Sequence, residues 1–356
     1  MGRLLQHKFY LVSLGLLLLI LSFSFCWLLL RPPLESSVRK VLFIKKGTSL
    51  TNISAMLERE GIIRNRHFFV GVTFLLGKRG AIKAGEYDFH TRMLPLEVLN
   101  TLVKGQVKRH LVTVVEGYTL SQIAQLFNDL NIVDRQAFLE KATSPVLITS
   151  LGLFPTQNGT DSRIKTSIEG YLFPETYNLI RDMDPEEVIR IMVSQFKKVI
   201  GSDLAAKASH LGITQREAVI LASIIEKETS LPQEKPLASA VFHNRLKKKI
   251  PLQSDPTVIY GIKDFDGNLT KEHLLTPTPY NTYLIGGLPP TPICSPGKDS
   301  LLAALAPAPV PYLYFVSRND GSHHFSSDIE EHHRAVWKYQ KRSGKRISSD
   351  YTDSKK

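Results

Sequence analysis

Apolar and polar positions divide the chain into segments of different period. From Phe9 to Leu30 runs FYLVSLGLLLLILSFSFCWLLL, 22 residues without a charge, which as a helix would extend about 33 Å at 1.5 Å per residue and cross a bilayer. A cleavable signal peptide would carry a shorter apolar run, of about 7–15 residues, ending in small residues. Here the run ends in Trp27 and three leucines, so a single transmembrane helix is expected over residues 9–30, after a tail (1–8) and before a linker (31–40). Phe25 precedes Cys26 where a lipidation site would need a small residue. Arg3 and Lys8 lie before the span and Arg31, Arg39 and Lys40 after it, so flanking charge alone leaves orientation open. A short tail ahead of a large domain favours the N-terminus in the cytoplasm and the domain outside.

Past the linker the period alternates between strand and helix. Short apolar runs at Val41 to Ile44 and Leu111 to Val115 read as strands, and Leu50, Ile53, Leu57 and Leu120, Ile123, Phe127 each mark one helical face. These belong to an internal repeat. KGTSLTNISAMLEREGIIRNRHF (Lys46 to Phe68) aligns without a gap on EGYTLSQIAQLFNDLNIVDRQAF (Glu116 to Phe138), pairing Gly47 with Gly117, Leu50 with Leu120, Ile53 with Ile123, Ile62 with Ile132 and Phe68 with Phe138. The unit predicted is strand, glycine turn, amphipathic helix. A strand at Ala84 to Phe89 and a helix at Leu94 to Val103 complete a first segment, 41–105. A second, 106–165, holds the other copy and a Ser-, Thr-, Pro- and Gly-rich stretch, Thr143 to Thr166, expected to be loop.

A third segment, 166–340, contains helices predicted at Pro185 to Lys198 and Thr214 to Thr229, the latter opened by Thr214 with Glu217 three residues on, a capping box, and stopped by Pro232. Residues 341–356 read as a basic polar tail. The fold class expected is α+β.

Charge narrows the partners without choosing one. Lys and Arg number 45 against 33 Asp and Glu, a net +12, which favours an anionic surface or polymer. Nucleic acid is not expected, because no recognised binding motif or basic recognition helix appears. Cys26 and Cys294 are the only cysteines, too few for a disulfide framework or a Cys-rich zinc site. His323, His324, His332 and His333 form two adjacent pairs with no HExxH pattern, so no metal is expected; hydrogen bonding or a place on a cleft rim suits His323 and His332 better.

One carboxylate stands out. At 100° per residue, Glu228 falls in the arc of Ala218, Leu221, Ile224 and Ile225, while Glu226 and Lys227 point elsewhere. An acid on an apolar stripe at the negative end of a helix is pushed toward its protonated form. A neutral acid at pH 7 is what protonation of a glycosidic leaving group needs; fraying, or pairing with a cation, would equally explain its place. Glu226 and Glu228, two apart on a helix, cannot act as a facing pair.

Several motifs carry a resemblance. The G-[TY]-[ST]-L-x-x-I pattern after each strand resembles the LysM module, which implies binding of N-acetylglucosamine-containing glycans, although Gly and Leu there also serve turn and core. LASIIEKET (Leu221 to Thr229), VFHNRL (Val241 to Leu246), LQSDPTVIYG (Leu252 to Gly261), TPYNTY (Thr278 to Tyr283), GLPPTPICSPG (Gly287 to Gly297) and PYLYFV (Pro311 to Val316), with EGYLFPETY (Glu169 to Tyr177) upstream, resemble the endolytic murein transglycosylases, the MltG or YceG-like family. The resemblance covers roughly residues 40–340 and implies a LysM-like α+β subdomain followed by a mixed α+β lytic transglycosylase domain at 166–340. It implies Glu228, the second Glu of the E-K-E-T motif, as the catalytic acid.

The reaction implied is cleavage within peptidoglycan strands between N-acetylmuramic acid and N-acetylglucosamine, leaving a 1,6-anhydro end, in a protein of the bacterial cytoplasmic membrane with its catalytic domain outside. Also implied are a reaction that uses no metal or organic cofactor, a role in ending glycan elongation and proximity to penicillin-binding proteins. Cleft residues expected are Thr229, beside the acid; Gln253, Ser254 and Asp255, before the turn at Pro256; Asn281, Thr282 and Tyr283; and Glu169 and Tyr171. Asp255 would equally cap a helix begun at Pro256. A muramidase using Asp255 or Glu169 as second carboxylate, and a noncatalytic LysM-type glycan-binding membrane protein, remain alternatives.

Overall fold

The structure, a computed structural model, describes residues 13–17, 19–20, 22–24, 27, 31–33, 36–153, 167–201 and 204–341. Within the 9–30 span the described positions are helical and the others lie outside the described residues, as do 154–166 and all but the first residue of the 341–356 tail. Among the described residues no helix is long and apolar enough to cross a membrane. The chain forms two compact units, one of Met1–His110 with Asn178–Asp182, the other of Leu111–Tyr177 with Met183–Lys356.

The first unit is built on a two-stranded ribbon. β1 (Arg39–Ile44) runs antiparallel to β2 (Gly85–His90), with Leu42 opposite Tyr87 and Ile44 opposite Gly85. Alternation along both strands buries one face, Leu42 and Ile44 against Tyr87 and Phe89, as a sheet covered on one side requires. Helices α1 (Leu50–Arg59), α2 (Arg66–Leu75) and α3 (Pro95–Lys104) cover it with Ile53, Leu57, Phe69, Val98, Leu99 and Leu102. In the short return, Arg181 lies over the Phe43 ring, 4.3 Å from its centroid.

The repeat is visible as matched local structure. β1 and β3 (His110–Thr113) each lead into a glycine with positive φ, +84° at Gly47 and +79° at Gly117, a conformation that costs glycine little and other residues more. Ser49 then caps α1 and Thr119 caps α4 (Leu120–Asp129), each hydroxyl accepting an N–H from three residues on. A further short helix follows in each copy: α2, capped by Asn65, and α5 (Arg135–Ala142), capped by Asp134.

The stretch expected to be loop from Thr143 is partly helical. α6 (Pro145–Ser150) buries Leu147 and Ile148. Ser144 and Pro145, counted as loop composition, are residues that suit a helix start.

The second unit is organised around α9 (Gln215–Glu228), whose predicted capping box is present: Thr214 N–H donates to Glu217 at 2.7 Å and Glu217 N–H to Thr214 Oγ1 at 3.2 Å. All eight residues from Ala218 to Ile225 are buried, so α9 is enclosed on every side and has no single apolar stripe. It packs against α8 (Leu204–His210), α10 (Lys235–Lys247), α11 (Asp255–Gly261) and α13 (Lys298–Leu305). Around these lie α7 (Pro185–Ile200), α12 (Lys271–Leu275), the antiparallel hairpin of β5 (Tyr314–Ser317) and β6 (His323–Ser326), and α14 (Ile329–Val336). β4 (Thr176–Leu179) pairs with β3.

Candidate active site

Glu228 is the last residue of α9. Thr229 turns the backbone to extended values, φ −142° and ψ 133°, which releases the preceding side chain from the packed cylinder. Its hydroxyl donates to Glu234 at 3.1 Å and accepts from Leu231 N–H at 3.2 Å, so Thr229 is fixed behind the site. Glu228 is half-buried and faces a cavity of about 440 Å³. Ser254 donates its hydroxyl to Glu228 Oε1 at 2.5 Å.

Burial pushes the Glu228 carboxyl up to about 7; Asp255 adds to the rise, while the Ser254 hydrogen bond and the charge of Arg245 oppose it. Desolvation of the ionised form dominates. At neutral pH the group is thus divided between acid and base, the condition for delivering a proton and taking one back.

Arg245, from the last turn of α10, is buried and lines the cavity. Its guanidinium donates to the Leu313 carbonyl at 2.7 Å, to those of Pro251 and Leu252 at 3.1 and 3.0 Å, and to Gln253 Oε1 at 3.1 Å. These partners are neutral, so its charge remains available to an anionic group in the cavity. Gln253 is held at φ +51°, an uncommon backbone for a non-glycine residue. Asp255 also lines the cavity and accepts the Tyr283 hydroxyl at 2.6 Å. From the hairpin, His323 reaches the cavity with Nδ1 2.7 Å from Glu234; His332 stacks on Tyr314 at 5.2 Å.

The residues expected in the cleft are thus distributed. Glu228, Gln253, Asp255 and Tyr283 line one cavity and Ser254 bonds its acid. Asn281 and Thr282 are buried and shape the loop. Asn281 Nδ2 donates to the carbonyls of Leu274 and Thr276 at 3.0 and 2.8 Å, and Thr282 Oγ1 accepts the Ser254 N–H at 3.0 Å.

Glu169 does not line this cavity. It is buried beside a second one of about 760 Å³, accepting Leu120 N–H at 2.9 Å and the Tyr260 hydroxyl at 3.0 Å, and burial pushes it up to about 7. Tyr171 packs in the core against Phe196, 5.2 Å between ring centroids.

Residues 42–338 match the YceG-like family along their whole length. The chain belongs to that family. It is 31% identical over 302 residues to a Bacillus subtilis protein named endolytic murein transglycosylase, covering 83% of each chain. A Streptococcus pneumoniae protein of the same name is 28% identical over 330 residues, covering 85% of this chain and 59% of the pneumococcal one. A crystal structure of a yceG-like protein from Listeria monocytogenes superposes with a TM-score of 0.58 at 30% identity, covering 83% of this chain and 98% of that one.

In this YceG-like chain, Arg245 is the site residue to which the sequence assigned no role, although it stands in the quoted VFHNRL motif. Along α10 it stands among the polar residues His243, Asn244 and Lys247, so nothing local in the sequence sets it apart. Its partners come from residues 251–253 and 313, too far along the chain for periodicity to reveal. Phe315, in PYLYFV, is a second residue of this kind and lines the cavity.

Proposed function

We propose that this protein is a membrane-anchored, endolytic peptidoglycan lytic transglycosylase in which Glu228 acts first as general acid and then as base. The names of the relatives support the reaction class, and the single observation that carries the residue is a half-buried carboxyl, raised to about 7, at the wall of a polar cavity.

With Ser254 donating to Oε1, the proton belongs on Oε2. From there it passes to the glycosidic oxygen between N-acetylmuramic acid and N-acetylglucosamine as positive charge develops at the muramyl anomeric carbon. The resulting carboxylate, favoured by Ser254 and Arg245, accepts the proton of the same sugar's 6-hydroxyl as that oxygen closes the 1,6-anhydro ring. The nucleophile is held within the substrate, so ring closure gains the effective molarity of an intramolecular step and needs no second carboxylate.

Asp255 favours one other reading, because it shares the cavity: a muramidase in which it activates water. Its hydrogen bond from Tyr283 fixes that carboxylate in place. Product mass separates the two. Digestion of peptidoglycan by the full chain, with Glu228→Gln beside it, is expected to give fragments one water lighter than hydrolysed muropeptides, absent from the variant. Full-mass reducing ends would establish the hydrolase instead.

Residues 9–30 are proposed to anchor the chain in the bacterial cytoplasmic membrane, N-terminus inside. That location would hold the cavity beside newly made glycan, consistent with a role in ending strand elongation near penicillin-binding proteins.

A further inference from the structure

Helix α2 ends in three consecutive apolar side chains that face water. Phe74, Leu75 and Leu76 are 69%, 85% and 49% exposed. The end is not frayed: the N–H groups of Leu76, Gly77 and Lys78 donate to the carbonyls of Val72, Phe74 and Thr73 at 3.0, 2.9 and 3.0 Å. Gly77 takes the left-handed φ, +64°, that closes such a helix. Thr73, just before the tip, is fully buried and donates its hydroxyl to the Phe69 carbonyl at 2.7 Å. The result is a fixed apolar tip on a packed helix.

Along the sequence the charge flanking the tip has one sign, although Arg66 at the far end of α2 pairs with Glu58 at 3.7 Å. From Gly61 to Gly85 the sequence carries Arg64, Arg66, Lys78, Arg79 and Lys83 and no Asp or Glu. Lys78 and Arg79 follow the tip directly and are exposed. The start of α2 lies at the point where the chain leaves the long apolar run: Arg64 Nε, two residues before the helix, donates to the carbonyl of Pro32 at 2.9 Å, two residues past Leu30. From there α2 extends about 15 Å.

We propose that the Phe74–Arg79 tip inserts into the surface of an anionic phospholipid bilayer, its three apolar side chains below the headgroups and Lys78 and Arg79 among the phosphates. Apolar area and cationic charge together give such contacts their strength. The proposal rests on the reading of residues 9–30 as an anchor. A single span followed by this second contact would fix the orientation of the first unit on the membrane instead of leaving it tethered at one point.

The test uses the full chain with Cys26→Ser, since Cys294 is buried, and Leu75→Cys carrying an environment-sensitive fluorophore. It is reconstituted in phosphatidylglycerol-rich vesicles with and without a lipid-borne quencher. A second preparation carries the label at Val146→Cys, also highly exposed. Quenching severalfold stronger at 75 than at 146, reduced by Lys78→Glu with Arg79→Glu and in pure phosphatidylcholine, is the expected result. A chain that floats with the vesicles after a high-salt wash while label 75 remains in water overturns the tip and leaves the anchor. Equal quenching at both labels, or a blue shift that depends on protein density and not on lipid, overturns it in favour of adsorption or of a second copy. A chain washed off the vesicles overturns both the anchor and the tip.

Discussion

Ser254 occupies the N-cap position of α11, yet its hydroxyl is given to Glu228 at 2.5 Å and makes no cap hydrogen bond. A serine at that position ordinarily accepts an N–H from the first turn. Here the helix opens on Asp255 and Pro256 instead, an acid at the positive end of the helix and a residue with no N–H to satisfy. The capping hydroxyl is thereby free to act on the acid.

Removing that hydroxyl should therefore change the acid before it changes the fold. The bond holds the Glu228 carboxyl down, so Ser254→Ala is expected to raise it further and to move the alkaline limb of kcat/KM upward. A pH profile on purified glycan strands reads the effect; an unmoved limb would mean that Ser254 does not bond Glu228 in the working enzyme.

In the proposed reaction Glu228 starts protonated, so kcat/KM should be level below about 7 and fall about tenfold per pH unit above it. Glu228→Gln should lower the rate by roughly 10²–10⁴-fold. For stability the sign is set by the raised value: the wild type keeps its full contribution below the ordinary glutamate range and loses it as pH rises through about 7. The variant should accordingly melt at or above the wild-type temperature at pH 8, a comparison that separates lost chemistry from lost fold.

Glu169 provides the same linkage away from the reaction. It is buried and raised to about 7, so ionising it costs on the order of 3 kcal/mol at alkaline pH. Glu169→Gln retains an acceptor for Leu120 and Tyr260 and is expected to stabilise the protein at pH 8 by up to that amount, with little effect at pH 4.5. Urea unfolding at the two pH values tests it, and a loss of stability at pH 8 would count against the assignment.

The pair of Lys235 and Glu226, 3.2 Å apart with both side chains buried, joins α9 to α10. Glu226 also accepts from Gly297 N–H at 2.9 Å and Ser300 Oγ at 2.6 Å at the start of α13. Lys235→Met would leave that carboxylate unpaired in the interior and should cost about 3–5 kcal/mol. Adding Glu226→Gln should recover part of the loss, and the difference is measurable by denaturant unfolding.

Local chemistry was legible in the chain to the extent that its causes are local. The glycine turns at Gly47 and Gly117 and the box of Thr214 with Glu217 are set within a few residues, and they appear where the periodicity places them. The contrast between Glu226 and Glu228 was harder. A helical wheel assigns one face to an apolar stripe, but the middle of α9 is covered on all sides and the Glu226 side chain is buried too; it is told from Glu228 by its partners Lys235, Gly297 and Ser300, whereas Glu228 faces the cavity. Ser254 meets Glu228 across 26 residues, and Arg245 finds the Leu313 carbonyl 68 residues away. Contacts of that separation depend on how α9, α10 and the hairpin pack, which no period in the sequence encodes.

The chain returns briefly to the first unit at Asn178–Asp182, where Arg181 covers Phe43. During synthesis that closing segment emerges about 70 residues after His110, a delay of roughly 3–14 s at 5–20 residues per second. Until then the ribbon of β1 and β2 must hold its core without its last piece, and the Phe43 ring waits uncovered. A chain cut after His110 would remain permanently at that stage of its own biogenesis.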